Sequence, residues 1–136
     1  MSDLIEIVPG LYQSGTPHAP VDVDVIVSLQ REPPSYLPQS PNPEQVLAVW
    51  WPINDGPMPD PLTVRSLARF VASLLEQKQR VLVHCAGGNN RSGLIVGRTL
   101  IERGSSPDEA IETVRSAIPT ALNNREFEHW LRSEGT

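Results

Sequence analysis

One cysteine and one arginine stand six residues apart in the segment His84-Cys85-Ala86-Gly87-Gly88-Asn89-Asn90-Arg91-Ser92. Their chemistry suits phosphoryl transfer. A thiolate is a strong nucleophile, and a guanidinium offers a planar fork that grips two phosphate oxygens at once. The residues between them are small or carry side-chain amides, and two are glycine. Such a turn lets successive backbone N–H groups converge on a tetrahedral oxyanion. The apolar run ahead, Val81-Leu82-Val83, reads as a buried strand. The run that follows from Ser92 reads as a helix, whose N-terminus adds the positive end of its dipole. Ala86, Gly87, Gly88, Asn89, Asn90 and Arg91 are therefore the expected phosphate-binding residues, and the same donors would hold Cys85 as its nucleophilic thiolate. A free cysteine at a strand end is more commonly a small buried hydrophobe. The complete string of strand, His, Cys, glycines, Arg, Ser and helix is what points to phosphate.

Cleaving a phosphate ester also requires a proton for the departing oxygen. The segment Trp51-Pro52-Ile53-Asn54-Asp55-Gly56-Pro57-Met58-Pro59-Asp60 supplies two carboxylates. Asp60 precedes Pro61 at the head of an amphipathic pattern, the place of a helix N-cap. Asp55 lies before Gly56-Pro57, in a turn that could carry a movable loop or need only a turn-forming aspartate. Asp55 is the preferred general acid and Asp60 the second candidate. His84, at a strand end beside the nucleophile, should point away from it and support the loop by hydrogen bonding. Ser92 has the place of a first-turn helix serine.

Short elements must position these groups. Ile5 to Tyr12 reads as an edge strand broken by Pro9-Gly10. Val23–Leu29, Val46–Trp51 and Arg80–His84 are β-branched or apolar runs of strand length. Helical periodicity runs over Thr63–Gln77 with Asp60 as N-cap, and over Ser92–Glu102 up to a glycine cap at Gly104. Ser106-Pro107-Asp108-Glu109 is a capping box opening a helix to about Ala117, and a last helix covers roughly Arg125–Leu131. Trp50 and Trp51 are expected in the core. Prolines crowd Arg31–Glu44 and Pro52–Pro61, which both read as loops. Strands interleaved with helices imply an α/β fold with a single central sheet.

Composition bounds the rest. A chain of 136 residues corresponds to one domain, residues 1–136. Sixteen acidic against eleven basic residues give a formal charge of -5, which disfavours sequence-blind nucleic-acid binding. A single cysteine excludes an intrachain disulfide, and with three scattered histidines it leaves few ligands for a metal. No signal peptide is evident at the start, and no apolar run reaches the length of a membrane span. The expectation is a cytoplasmic monomer that uses no cofactor and no metal.

His84-Cys85-x5-Arg91-Ser92 resembles the signature of the cysteine-dependent protein tyrosine phosphatases, and Gly88 falls where that family has its loop glycine. Ile7-Val8-Pro9-Gly10-Leu11-Tyr12-Gln13-Ser14-Gly15 resembles the opening segment of the small dual-specificity branch, and Asn123-Asn124-Arg125-Glu126-Phe127 the stretch ahead of its last helix. The resemblance implies a mostly parallel central β-sheet flanked by helices. It also implies a cysteinyl-phosphate intermediate, and a Ser92 hydroxyl that stabilises the leaving thiolate. Asp55 lies 30 residues before Cys85, the separation the resemblance implies for the acid. Tyrosine-specific members place the acid directly after Trp-Pro, where this chain has Ile53. The loop between Cys85 and Arg91 holds no basic residue, so a phosphorylated protein or small aryl phosphate is the expected substrate. Gly88-Asn89-Asn90-Arg91-Ser92-Gly93 also resembles the loop of RNA 5′-triphosphatases, but no basic groove for RNA is visible. A module that binds phosphate without turnover is the remaining alternative.

Overall fold

A computed structural model describes residues 4–17, 21–33 and 46–134. Two four-residue strands, β1 (Ile5–Val8) and β2 (Leu11–Ser14), form an antiparallel hairpin. The segment expected as one broken edge strand is therefore two strands, and the second is not at an edge. Pro9 cannot donate to a ladder, and Gly10 adopts φ +86°, so the chain reverses there and re-enters the sheet.

Strands β3 (Val25–Ser28), β4 (Leu47–Trp50) and β5 (Val81–His84) complete a sheet of order β1-β2-β5-β3-β4. All pairings except β1 with β2 are parallel, as the expected mostly parallel sheet requires. Central β5, between β2 and β3, is buried along its whole length. Parallel strands covered on both faces need apolar side chains in both directions, which explains the unbroken Val-Leu-Val run. Val81 and Val83 join the main core with Leu11, Val25, Val27, Leu94, Ile95, Phe127 and Leu131. Leu82 and Ile26 point to the other face and meet Val21 and Val23.

Four helices follow the expected bounds closely. Helix α1 (Pro61–Glu76) starts on Asp60, whose carboxylate accepts from Leu62 N (3.3 Å) and Thr63 Oγ1 (2.7 Å). Helix α2 (Arg91–Glu102) is buried continuously from Ser92 to Leu100 and ends before Gly104, at φ +110°. Helix α3 (Pro107–Ala117) opens with the Ser106–Glu109 capping box. Helix α4 (Arg125–Glu134) extends three residues beyond the expected end at Leu131.

Trp50 departs from expectation. It lies on edge strand β4, 44% exposed, with its indole N–H donated to Gln30 O at 2.8 Å. Trp51 packs half-buried against the core. The proline-rich Arg31–Glu44 stretch lies outside the described residues beyond position 33. Among the described residues, no helix is long and apolar enough to cross a membrane.

Candidate active site

Strand β5 ends at His84 and helix α2 begins at Arg91, so residues 85–90 form the connecting loop at the carboxyl end of the central strand. Open parallel sheets bind ligands at this end. Cys85 is 2% exposed. Its Sγ accepts a hydrogen bond from Gly88 N at 3.2 Å and lies 3.4 Å from Ser92 Oγ. The sulfur thus sits between a backbone N–H and a buried hydroxyl at the start of the loop.

The loop's carbonyl groups show where its N–H groups point. Ala86 O accepts from Thr16 N (3.3 Å), Asn89 O from Leu122 N (3.2 Å) and Asn90 O from Leu94 N (2.8 Å). Gly88 O accepts from Gln13 Nε2 at 2.9 Å. A trans peptide points its C=O and N–H in opposite directions. The N–H groups of Gly87, Asn89, Asn90 and Arg91 therefore face away from the sheet and helices that hold those carbonyls. An oxyanion on that side of the loop can accept from them.

Asn90 has the N-cap position of α2 but makes no capping bond. Its side chain is engaged elsewhere. Nδ2 donates to Asp55 Oδ2 (2.9 Å) and Asn123 Oδ1 (2.6 Å), and Oδ1 accepts from Asn124 N (2.9 Å). The first N–H groups of α2 thus have no side-chain cap from this residue, and a bound anion can serve in its place. Ser92 is fully buried in that first turn.

Asp55 is exposed, yet both its oxygens are engaged. Asn124 Nδ2 donates to Oδ1 at 2.9 Å and to Gly56 O at 3.0 Å, and Met58 N donates to the Glu126 carboxylate. The turn from Asp55 to Met58 is thereby fastened to the start of α4. Arg91 Nη1 donates to Ile53 O at 3.1 Å, which fixes one arm of its guanidinium to the same segment. The structure thus brings Cys85, Arg91, Ser92 and Asp55 to one locus. Asp60, committed to the cap of α1, is outside it.

His84 is fully buried, with Nδ1 3.4 Å from Cys85 O. Burial pushes its pKa down to about 4, so the ring is neutral at physiological pH. Among the described residues, no group of three or more His, Cys, Asp or Glu is placed to hold a metal ion.

Several contributors escape sequence reasoning. Gln13, one residue beyond the segment expected as an edge strand, reaches the loop from β2. Thr120 Oγ1 donates to Asn89 Oδ1 at 2.9 Å, and Arg115 donates to Ala121 O (3.1 Å) and Leu122 O (2.8 Å). Asn124 lay within a segment whose resemblance to known sequences was visible, but no spacing rule connects it to Asp55. Ile53 acts through a backbone oxygen, which residue type cannot reveal.

Comparison with known proteins agrees with this architecture. Residues 11–135 match the family described as dual specificity phosphatase, catalytic domain. The human dual specificity protein phosphatase 12 is 26% identical over 138 residues, 95% of this chain and 40% of that protein. The human protein tyrosine phosphatase type IVA 3 is 31% identical over 84 residues, 60% of this chain and 49% of that protein. The chain thus spans less than half the length of either curated relative. The crystal structure of human DUSP28 superposes with a TM-score of 0.82 at 25% identity, covering 97% of this chain and 95% of the other.

Proposed function

This chain belongs to the dual specificity phosphatase family, and from that membership and the loop geometry we propose that it hydrolyses phosphate monoesters through a cysteinyl-phosphate. The observation that carries the proposal is the Cys85 sulfur, held by Gly88 N–H at 3.2 Å within a loop whose carbonyls are tied back to the body. Cys85 thiolate attacks phosphorus in line, forming an S–P bond as the ester P–O bond breaks. The Arg91 guanidinium and the backbone N–H groups of Gly87, Asn89, Asn90 and Arg91 hold the equatorial oxygens. Asp55 gives its proton to the departing alkoxide or phenoxide. The resulting carboxylate then takes a proton from water as that water attacks phosphorus. The S–P bond breaks, and the Ser92 hydroxyl donates to the thiolate that leaves. Neutral His84 supports the loop at the Cys85 carbonyl.

The substrate is a phosphorylated protein or a small aryl phosphate. Nothing between Cys85 and Arg91 is basic, and a net charge of -5 disfavours polyanions. The whole chain serves as one catalytic domain and acts as a monomer. Its single thiol is free and suits a reducing compartment such as the cytoplasm.

Turnover of para-nitrophenyl phosphate in EDTA tests the reading. Wild type should be active and Cys85→Ser inactive, whereas near-wild-type turnover by Cys85→Ser would end the covalent mechanism. Tight phosphopeptide binding without turnover would make the protein a binding module. Preference for triphosphorylated RNA over phosphopeptides would move the substrate class.

A further inference from the structure

Gln13 takes no part in the chemistry described so far, yet it is a fully buried polar side chain on β2, beneath the phosphate loop. Its Nε2 donates to Gly88 O at 2.9 Å, and among the described residues its Oε1 has no hydrogen-bond partner. Burying an amide is costly unless it is hydrogen-bonded, and the one described bond of this amide ends on the loop.

Gly88 is where the loop is least constrained by its own backbone. It adopts φ +80°, and a Cβ there would lie 2.6 Å from Gly15 N and 2.8 Å from Ser14 C. Only glycine fits, and glycine tolerates more than one orientation of the following peptide. The carbonyls of Ala86, Asn89 and Asn90 are held by backbone N–H groups of Thr16, Leu122 and Leu94, whereas Gly88 O depends on a side chain. With that carbonyl drawn to Gln13, the N–H of Asn89 faces the open side of the loop. If the Gly88–Asn89 peptide turned over, a carbonyl oxygen would replace that donor and repel an anion.

We propose that Gln13 is a positioning residue that locks the Gly88–Asn89 peptide in the orientation that binds phosphate oxygens. The inference rests on the phosphatase reading and assigns one donor of its cradle to a side chain outside the loop.

Gln13→Met keeps the length of the side chain and removes the donor. Two measurements read the effect: tungstate binding by isothermal titration calorimetry, and kcat and KM for para-nitrophenyl phosphate. The expected result is a Kd for tungstate raised on the order of tenfold and a kcat lowered on the order of 10²-fold, as for loss of one oxyanion donor. A lower melting temperature with wild-type tungstate affinity and kcat would overturn the proposal. If Gln13→Met does not fold, Gln13→Glu carries the test. An ionised carboxylate repels Gly88 O and a protonated one can donate to it. Tungstate affinity relative to wild type should then recover as pH falls, and a pH-independent ratio would overturn the lock. Wild type that binds no tungstate and turns over no ester sinks both readings. Wild-type binding matched by Gln13→Met sinks only this one.

Discussion

Two amides, from Asn90 and Asn124, each take one oxygen of Asp55 at 2.9 Å. A carboxylate on an exposed turn would otherwise sample many rotamers, so these donors fix the direction of proton delivery in the proposed mechanism. Asp55→Ala should lower kcat on the order of 10²- to 10⁴-fold with an alkyl phosphate, and less with para-nitrophenyl phosphate, whose leaving group needs little protonation. Asn124→Ala leaves the acid present but unaimed. Its kcat should fall on the order of tenfold with KM nearly unchanged, measured by steady-state kinetics on both esters. Equal kcat values for Asn124→Ala and wild type on the alkyl ester would detach Asn124 from the acid. His84 adds a pH prediction at the same scale. Its pKa of about 4 lies below the ordinary 6.5, so the unfolded chain takes up a proton before the folded one as pH falls. The His84 contribution to stability should be constant above pH 6.5, decline between 6.5 and 4 by roughly 3 kcal/mol, and level off below. Urea titrations of wild type and His84→Gln would reveal that contribution as the difference between their pH profiles.

The corner between α3 and α4 is the element that carries Thr120, Leu122, Asn123 and Asn124 to the phosphate loop and the acid. Arg115, in the last turn of α3, holds it by donating to Ala121 O, Leu122 O and Glu128, the last at 3.2 Å. The hydrogen bond from Arg115, opposed by burial and assisted by Arg132, lowers the pKa of Glu128. The contribution of this pair is therefore present above the usual carboxylate range and is lost as pH falls through the lowered value. Arg115→Met removes the guanidinium and leaves two corner carbonyls without this donor, which should cost roughly 1–3 kcal/mol in urea denaturation. Activity should fall as well, through the loosened Asn124. A variant as stable and active as wild type would show that the corner holds itself. None of this follows from residue type or spacing, because Arg115 works on backbone oxygens brought near by the fold.

For the molecule as a whole, what was legible in the sequence is what local pattern governs. The α1 cap at Asp60, the Ser106–Glu109 box and the run from β5 through the loop into α2 are each determined by adjacent residues, and the structure has them where expected. Tertiary pairing is where reading along the chain fell short. Ile5–Tyr12 looks like an edge by its Pro9-Gly10 break, yet β2, which begins at Leu11, pairs with β5 along its length and sets Gln13 under Gly88. Trp50 looks like core by residue type, but β4 is an edge strand and leaves the ring partly exposed. Side chains that act on the loop from distant positions are therefore the part that sequence could not supply. The proposed chemistry of the whole molecule turns on the sulfur of Cys85. Asp55→Ala mixed with para-nitrophenyl phosphate, acid-quenched within the first turnovers and analysed by intact and peptide mass spectrometry, tests it most directly. One phosphoryl group is expected, located on Cys85. Sustained ester hydrolysis with no phosphoryl group on that residue would contradict it.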